Sequence, residues 1–296
     1  MLSILIPVFN YNVLPLVESL IEQGLRASVE FEIIVHDDAS AEAQKAINKP
    51  LNRLEKVSYK EHPENLGRAK IRNRLAEDAK FPYILFLDCD SSLPGTEFLQ
   101  RYLNILNHGI VACGGTGYRS APPMIKDHFL RWHYGTHREM KSSKERNDRP
   151  NFAITTNNLL IDKELFLTVK FDESLTRYGH EDTLFGLAIK EKGHVITHID
   201  NPLIHEGLES AEVFLEKTEQ GVMNLKMLIH KQPQYMGLFE EVKLVKWYSW
   251  IKKIGLQPVF AFKFRIIKPI LRWNLTGKNP SLKLFDLYKL GLLCRL

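Results

Sequence analysis

Cysteine is scarce in this 296-residue chain: Cys89, Cys113 and Cys294 are odd in number and far apart. That excludes a disulfide framework and a CxxC metal knuckle, and it suits a reducing compartment. No run reaches 18 apolar residues, so no transmembrane helix is expected. The opening Met1-Leu2-Ser3-Ile4-Leu5-Ile6-Pro7 has no basic n-region and no cleavage site, and does not read as a signal peptide. No GxxxxGK[ST] occurs, and Gly114-Gly115-Thr116-Gly117 is not a GxGxxG between strand and helix, so neither a P-loop nor a dinucleotide site is expected. These absences point to a cytoplasmic protein. What is present is an ordinary globular balance, 44% hydrophobic and 25% charged, with length enough for one large domain or two small ones.

Charge is unevenly spread. Lys and Arg number 40 against 35 Asp and Glu, a net +5. From Lys243 onward there are twelve Lys/Arg against Asp286 alone, so the last 54 residues carry +11 and the rest of the chain −6. Such an asymmetry marks a body and a tail with different surroundings.

The first 113 residues alternate strand and helix patterns. Leu2–Val8, Phe31–His36, Val57–Lys60, Tyr83–Leu87 and Ile110–Cys113 read as strands. Val13–Ile21, Ala41–Asn48, Gly67–Ala79 and Phe98–Leu106 read as helices, with Asn12 and Ser40 as caps for the first two. This order predicts right-handed βαβ crossovers and an α/β fold with a mostly parallel sheet. Ligands of such sheets bind outside the carboxyl ends of the strands, here just after Ile6, Val35 and Leu87. Beyond residue 113, Lys141–Pro150 reads as a mobile loop and Phe152–Ile161 as strand-like. Lys163–Val169 and Glu181–Glu191 read as helices, His194–Ile199 as a strand and Ser210–His230 as a long helix.

Polar clusters follow each predicted strand end. Asp88-Cys89-Asp90 places two carboxylates where hard divalent cations would want oxygen ligands, although two solvated acids in a turn fit equally. Asp37-Asp38-Ala39-Ser40 could bond a nucleobase or ribose, or only cap the next helix. Tyr178-Gly179-His180-Glu181-Asp182 opens a helix. Its acids suit the helix dipole, and one of them also suits a general base, with Gly179 allowing close substrate approach. Asn65-Leu66-Gly67-Arg68-Ala69-Lys70-Ile71-Arg72-Asn73 brings cations to a helix start, fit for an anion or for solvent. His205, in Leu203-Ile204-His205-Glu206-Gly207, is a surface histidine or a further metal ligand.

Taken in order and spacing, these pieces resemble the family 2 nucleotide-sugar glycosyltransferases of the GT-A fold, over roughly residues 2 to 207. The matching pieces are Ser3–Asn10, Ile34–Ser40, Asn65-Leu66-Gly67 with Arg72-Asn73, Asp88–Asp90, and Glu181-Asp182. The stretch from Asn157-Asn158 through Phe171-Asp172 to Asp182 is similar to the acceptor-side segment of β-1,4-galactosyltransferases and chondroitin-polymerase-type enzymes. The resemblance implies a Rossmann-like α/β/α sandwich over residues 1–210, with 1–113 for the nucleotide sugar and 114–210 for the acceptor. Residues 211–296 would be a basic, aromatic, mostly helical extension.

By that resemblance, Pro7 and Phe9 line the nucleotide pocket. Asp37 and Asp38 lie at the base, which is expected to be uracil, with Arg68 near it. Asp88 contacts ribose or diphosphate. Asp90 holds Mn²⁺ or Mg²⁺, with His205 completing the site. Asp182 is the catalytic base, Glu181 orients the acceptor, and Asn157 and Asn158 face it. The implied reaction is metal-dependent inverting transfer from a UDP-sugar to a hydroxyl of a glycan or lipid-linked oligosaccharide. A nucleotidyltransferase and a non-catalytic sugar- or lipid-binding module are the alternatives, and nothing in the body supports nucleic acid. Nine aromatic residues interleave with the tail's cations. That composition suits an anionic membrane surface, or a helical subdomain that packs its aromatics inward.

Overall fold

The computed structural model describes residues 1–174, 179–231 and 242–296. The chain divides into two compact units. One is Met1–Arg119, Arg138–Thr176 and Glu181–Gly207; the other is Ser120–His137, Arg177–His180 and Leu208–Leu296. The segment Ser120–His137 thus belongs with the C-terminal helices.

The first unit is built on a seven-stranded sheet. Its strands are β1 (Leu2–Val8), β2 (Phe31–Asp37), β3 (Val57–Glu61), β4 (Tyr83–Leu87), β6 (Val111–Cys113), β8 (Asn158–Asp162) and β9 (Thr197–His198). They lie in the order β3-β2-β1-β4-β8-β6-β9. β8 alone runs antiparallel to both neighbours; every other pair in this sheet is parallel. Two-residue strands β5 (Ser91–Ser92) and β7 (Thr116–Gly117) flank β10 (Leu203–His205) in a second, small sheet.

Side chains alternate across a strand, so a run that is apolar throughout must be covered on both faces. Leu2, Ile4, Ile6 and Val8 of β1 pack with Ile33, Val35, Leu85 and Leu87 against Leu16, Val17 and Leu20 of helix α1 (Leu14–Arg26). The opposite face, Leu5, Ile34, Ile84 and Phe86, packs on Ile71, Leu75 and Ala76 of the helix Arg68–Asp78 and on Phe166, Phe185 and Ile189. These two cores make the unit a three-layer sandwich.

Local expectations fail where tertiary contacts displace them. Helix α1 starts after Val13, and Asn12 receives the Leu14 N–H at 3.2 Å from outside the cap position. Ser40 does not cap its helix, which spans Glu42–Asn48; its hydroxyl receives the Asn10 N–H instead. Lys141–Pro150 is no loose loop, because Ser142 and Glu145 form a capping box on the helix Ser143–Asn147. The buried Arg146 guanidinium then donates to the carbonyls of Cys113, Gly114 and Ile199 at 3.2, 3.0 and 2.8 Å. The strand expected over 152–161 forms only from Asn158, and that over 194–199 only at Thr197–His198.

The second unit is helical: Phe129–Tyr134, Ala211–Lys231, Lys243–Lys253, Gln257–Leu275 and Leu282–Arg295. Its core gathers Leu130, Phe214, Leu215, Tyr248, Phe264, Leu271, Phe285, Tyr288 and Leu293. Glu219 anchors a polar seam, taking Lys268 at 3.0 Å, Arg272 at 3.2 Å and the Tyr288 hydroxyl. The tail's aromatics divide: Tyr248, Phe264, Phe285 and Tyr288 are buried, while Trp247, Trp250, Phe262 and Trp273 are exposed.

Candidate active site

Parallel register brings the ends of β1, β2 and β4 side by side, with Val8 opposite Asp37 and Leu5 opposite Phe86. The antiparallel β8 then lays Asn158 beside Leu87, and the Asp88 N–H donates to the Asn157 carbonyl at 3.2 Å. Pro7 lies half-buried near the end of β1, and Phe9, just beyond it, projects into solvent. An exposed aromatic ring beside strand ends is a surface on which a base could stack.

Asp37 and Asp38 do different work. Asp37 is wholly buried, with one oxygen receiving the Ser40 N–H at 2.7 Å and the other the Tyr59 hydroxyl at 3.3 Å. It shapes the loop from inside. Asp38 takes the N–H groups of Leu66 and Gly67 at 2.6 and 3.1 Å, tying β2 to the start of the helix Arg68–Asp78. Gly67 sits at φ +80°, a left-handed conformation that glycine adopts without strain, and this aims both N–H groups at one carboxylate. Burial raises the Asp38 carboxyl, and the two N–H donors oppose that rise.

That same helix presents Arg68 and Arg72. Arg72 is buried and pairs with Asp88 at 2.7 Å; Arg68 reaches Glu181 at 3.5 Å. Burial would raise the Asp88 carboxyl, but Arg72, Arg68 and His205 outweigh it and hold Asp88 below the ordinary carboxylate range.

Asp90 and His205 converge as well, Oδ1 to Nδ1 at 3.6 Å. The backbone N–H groups of Glu206 and Gly207 fold over the Asp90 carbonyl at 2.8 and 3.3 Å. A Cβ on Gly207 would fall 2.3 Å from Asp90 Oδ2, so only glycine permits this approach. Glu206 is fixed by a fork from Arg119 and by the Ser92 hydroxyl at 2.6 Å. His205 Nε2 is buried and has no hydrogen-bond partner among the described residues. No cluster of three or more His, Cys, Asp or Glu able to hold a metal exists among the described residues. A nitrogen and a carboxylate are nevertheless a fitting donor pair for a cation that shares its other positions with phosphate oxygens.

On the helix Glu181–Glu191, Asp182 receives the Thr156 hydroxyl at 2.7 Å. Burial, then the negative Glu181 beside it, push the Asp182 carboxyl up to about 7, against the pull of Arg72 and Thr156. Asn157 is half-buried and exchanges hydrogen bonds with Thr116. Asn158 is fully buried: it accepts from Tyr102 at 2.6 Å and donates to the Gly115 and Asn201 carbonyls at 2.9 and 2.8 Å, so its amide is committed to the scaffold. Tyr178 lies outside the described residues.

Sequence reasoning had no role for Thr156, Arg72 or Gly207. A lone Thr carries no signal. Arg72 was visible as one of three cations and as part of a matching piece, with no partner named for it, and Gly207 only as the residue two after His205. Tyr11 was missed too. Its hydroxyl is pushed up by burial and then by Asp90, Cys89 and Glu206, which puts it near the Asp-x-Asp turn.

Residues 3–163, more than half of the chain, match the sequence profile of "Glycosyl transferase family 2". The chain belongs to that family. This glycosyltransferase is also similar to a chondroitin synthase of Escherichia coli, 21% identical across 95% of this chain but only 45% of the relative's length. Among solved structures, TarS residues 1–349 of S. aureus are 18% identical, with a TM-score of 0.52 and 98% and 90% of the two chains covered. The mannosyltransferase PcManGT of Pyrobaculum calidifontis, solved with GDP-Man and Mn²⁺, is 11% identical, with a TM-score of 0.58 and 98% and 85% covered. At these identities the likeness establishes the GT-A fold of the glycosyltransferase. The Asp-x-Asp of Asp88 to Asp90 falls within the matched stretch, whereas Asp182 and His205 lie beyond it.

Proposed function

We propose that this glycosyltransferase moves a sugar from a nucleotide diphosphate donor to a hydroxyl of a glycan or lipid-linked oligosaccharide, with inversion at the anomeric carbon. The setting would be polysaccharide assembly. The observation that carries this reading is Asp182: a carboxylate whose proton affinity is raised to about pH 7, in direct contact with Thr156 and in the same charge network as Asp88. A general base works best when its pKa lies near the working pH.

In this reading, Phe9 offers a face to the base and Asp38 holds the loop beside it. Arg68 and the Arg72–Asp88 pair meet the diphosphate. Asp90 and His205 would hold Mn²⁺ or Mg²⁺, and the cation would neutralise charge on the departing nucleoside diphosphate. Glu181 and the half-buried Asn157 orient the acceptor. Asp182 takes the proton of the attacking hydroxyl as the sugar's bond to phosphate breaks. UDP is the first donor nucleotide to test, and GDP the second, since S. aureus TarS has been solved with UDP-GlcNAc and PcManGT with GDP-Man.

A panel of UDP- and GDP-sugars, assayed for nucleotide release with and without glycan acceptors, tests the reading. Acceptor-dependent release is expected with one donor class, abolished by chelator and restored by Mn²⁺ or Mg²⁺. Full turnover in excess chelator would remove the metal from Asp90 and His205. The absence of release from any nucleotide sugar would overturn the reading as a whole.

A further inference from the structure

The helix Gln257–Leu275 is apolar on two opposite faces. Phe264, Leu271 and Leu275 are buried in the core of the second unit. Val259, Phe262, Ile266, Ile270 and Trp273 recur at helical spacing and form one stripe on the far side, 47, 68, 61, 65 and 79% exposed. At 1.5 Å per residue that stripe is about 21 Å long. A surface helix of a soluble domain ordinarily shows apolar residues on the one face that meets the core. A second such face requires a covering of its own. The preceding helix, Lys243–Lys253, repeats the arrangement: it buries Val245, Tyr248 and Ile251 and exposes Trp247 and Trp250, whose rings meet edge to face at 5.8 Å.

Charge indicates what covers this surface. Lys243, Lys246, Lys252, Lys253, Lys263 and Arg265 are all exposed on these two helices. Lys263 and Arg265 flank the stripe on either side by helical periodicity. The only acid from Lys243 onward, Asp286, is paired with Lys289 at 3.1 Å. A second copy of the chain would set like charge against like. A bilayer rich in anionic phospholipid matches both features, because aromatic and aliphatic side chains settle at the headgroup boundary while lysines meet the phosphates. No helix among the described residues is long and apolar enough to cross a membrane.

We propose that helices Lys243–Lys253 and Gln257–Leu275 form a docking surface for an anionic phospholipid bilayer. Phe262, Ile266, Ile270 and Trp273 enter the headgroup boundary, and the flanking lysines bind lipid phosphate.

The test uses the full chain with vesicles of phosphatidylcholine, alone or with about 30% phosphatidylglycerol, an anionic fraction that gives a strong surface potential. Co-sedimentation with the anionic vesicles is expected, weakening as salt rises. Three of the chain's four Trp, namely Trp247, Trp250 and Trp273, lie on this surface, so brominated lipid should quench most of the intrinsic fluorescence. Phe262→Ser with Trp273→Ser, and separately Lys252→Glu with Lys253→Glu and Lys263→Glu, should each lower the vesicle partition constant at least about tenfold. Their melting temperatures should match the parent. Equal partition onto neutral and anionic vesicles, or no quenching in the parent chain, overturns the proposal. So does a Phe262→Ser/Trp273→Ser variant that only turns an oligomer into a monomer. Binding is read without donor or acceptor, so the result stands or falls apart from the catalytic reading.

Discussion

Asp88 and Asp182 are both acids at the mouth of one sheet, and their surroundings drive them in opposite directions. Asp88 sits against the buried Arg72 with Arg68 behind it, so its negative charge is held down to low pH. Asp182 sits half-buried beside another carboxylate, Glu181, and takes the Thr156 hydroxyl, so its proton is retained to about pH 7. Residue type does not distinguish the pair. One helix of arginines and one neighbouring glutamate do, separating a permanently charged group from one that can exchange a proton during turnover.

The largest effect should come from removing the exchangeable proton. Asp182→Asn is expected to lower turnover by about 10²-fold or more while nucleotide binding persists, read by steady-state assay beside calorimetric titration with UDP. In the parent enzyme, turnover should rise with pH through a midpoint near 7, because the base acts only when ionised. A pH-independent rate between 6 and 8 would dissolve the contrast between the two acids.

Stability should show the same contrast with opposite sign. An acid whose folded-state pKa is raised holds its proton more tightly folded than unfolded, so its stabilising share fades as pH rises from about 4 to about 7. At pH 8 the Asn variant at position 182 should therefore melt above the parent. An acid whose pKa is depressed stabilises above its unfolded value and loses that share as pH falls through its folded value. Asp88→Asn should be less stable at pH 8, by about 2 kcal/mol, since it strands the buried Arg72 but Asp88 itself is partly solvated. Scanning calorimetry of both variants at pH 5 and 8 checks the two signs together.

The smallest effect sharpens the comparison most. Thr156→Val keeps shape and removes the hydroxyl that donates to Asp182. The midpoint of the pH–rate profile should move upward by about half a unit to one unit, with turnover at pH 7 falling about two- to fivefold. Recovery in Thr156→Ser would separate a hydrogen-bonding role from packing.

Much of the fold was legible because its signals are local. The apolar runs of β1, β2 and β4 declare strands covered on both faces, and their carboxyl ends mark where Asp37, Asp88 and their neighbours stand. The reversed direction of β8 was not legible, because it depends on pairing Leu87 with Asn158 across the sequence. Strands of two residues, such as Ser91–Ser92 and Thr116–Gly117, are shorter than any periodicity. The helix at Ser143–Asn147 had its signal in Ser142 and Glu145, overruled by a polar composition that looks like a loop. Asp37 and Asn158 carry the right chemistry for a site but spend it on the scaffold, and only burial reveals this. The tail's composition announced an aromatic, basic segment. It did not show which rings turn inward, because the helix Gln257–Leu275 is apolar on both sides.

The antiparallel β8 also has a consequence for how the chain is born. On the ribosome, β4 is finished at Leu87, but the strand that covers its open edge begins at Asn158. At 5–20 residues per second, the backbone groups of Ile84-Leu85-Phe86-Leu87 wait roughly 4 to 14 seconds for that partner. An apolar strand edge left open so long is an invitation to a neighbouring nascent chain. Nascent chains on crowded polysomes thus share an apolar strand edge that the finished sheet covers, and slower synthesis between residues 88 and 158 would lengthen that exposure.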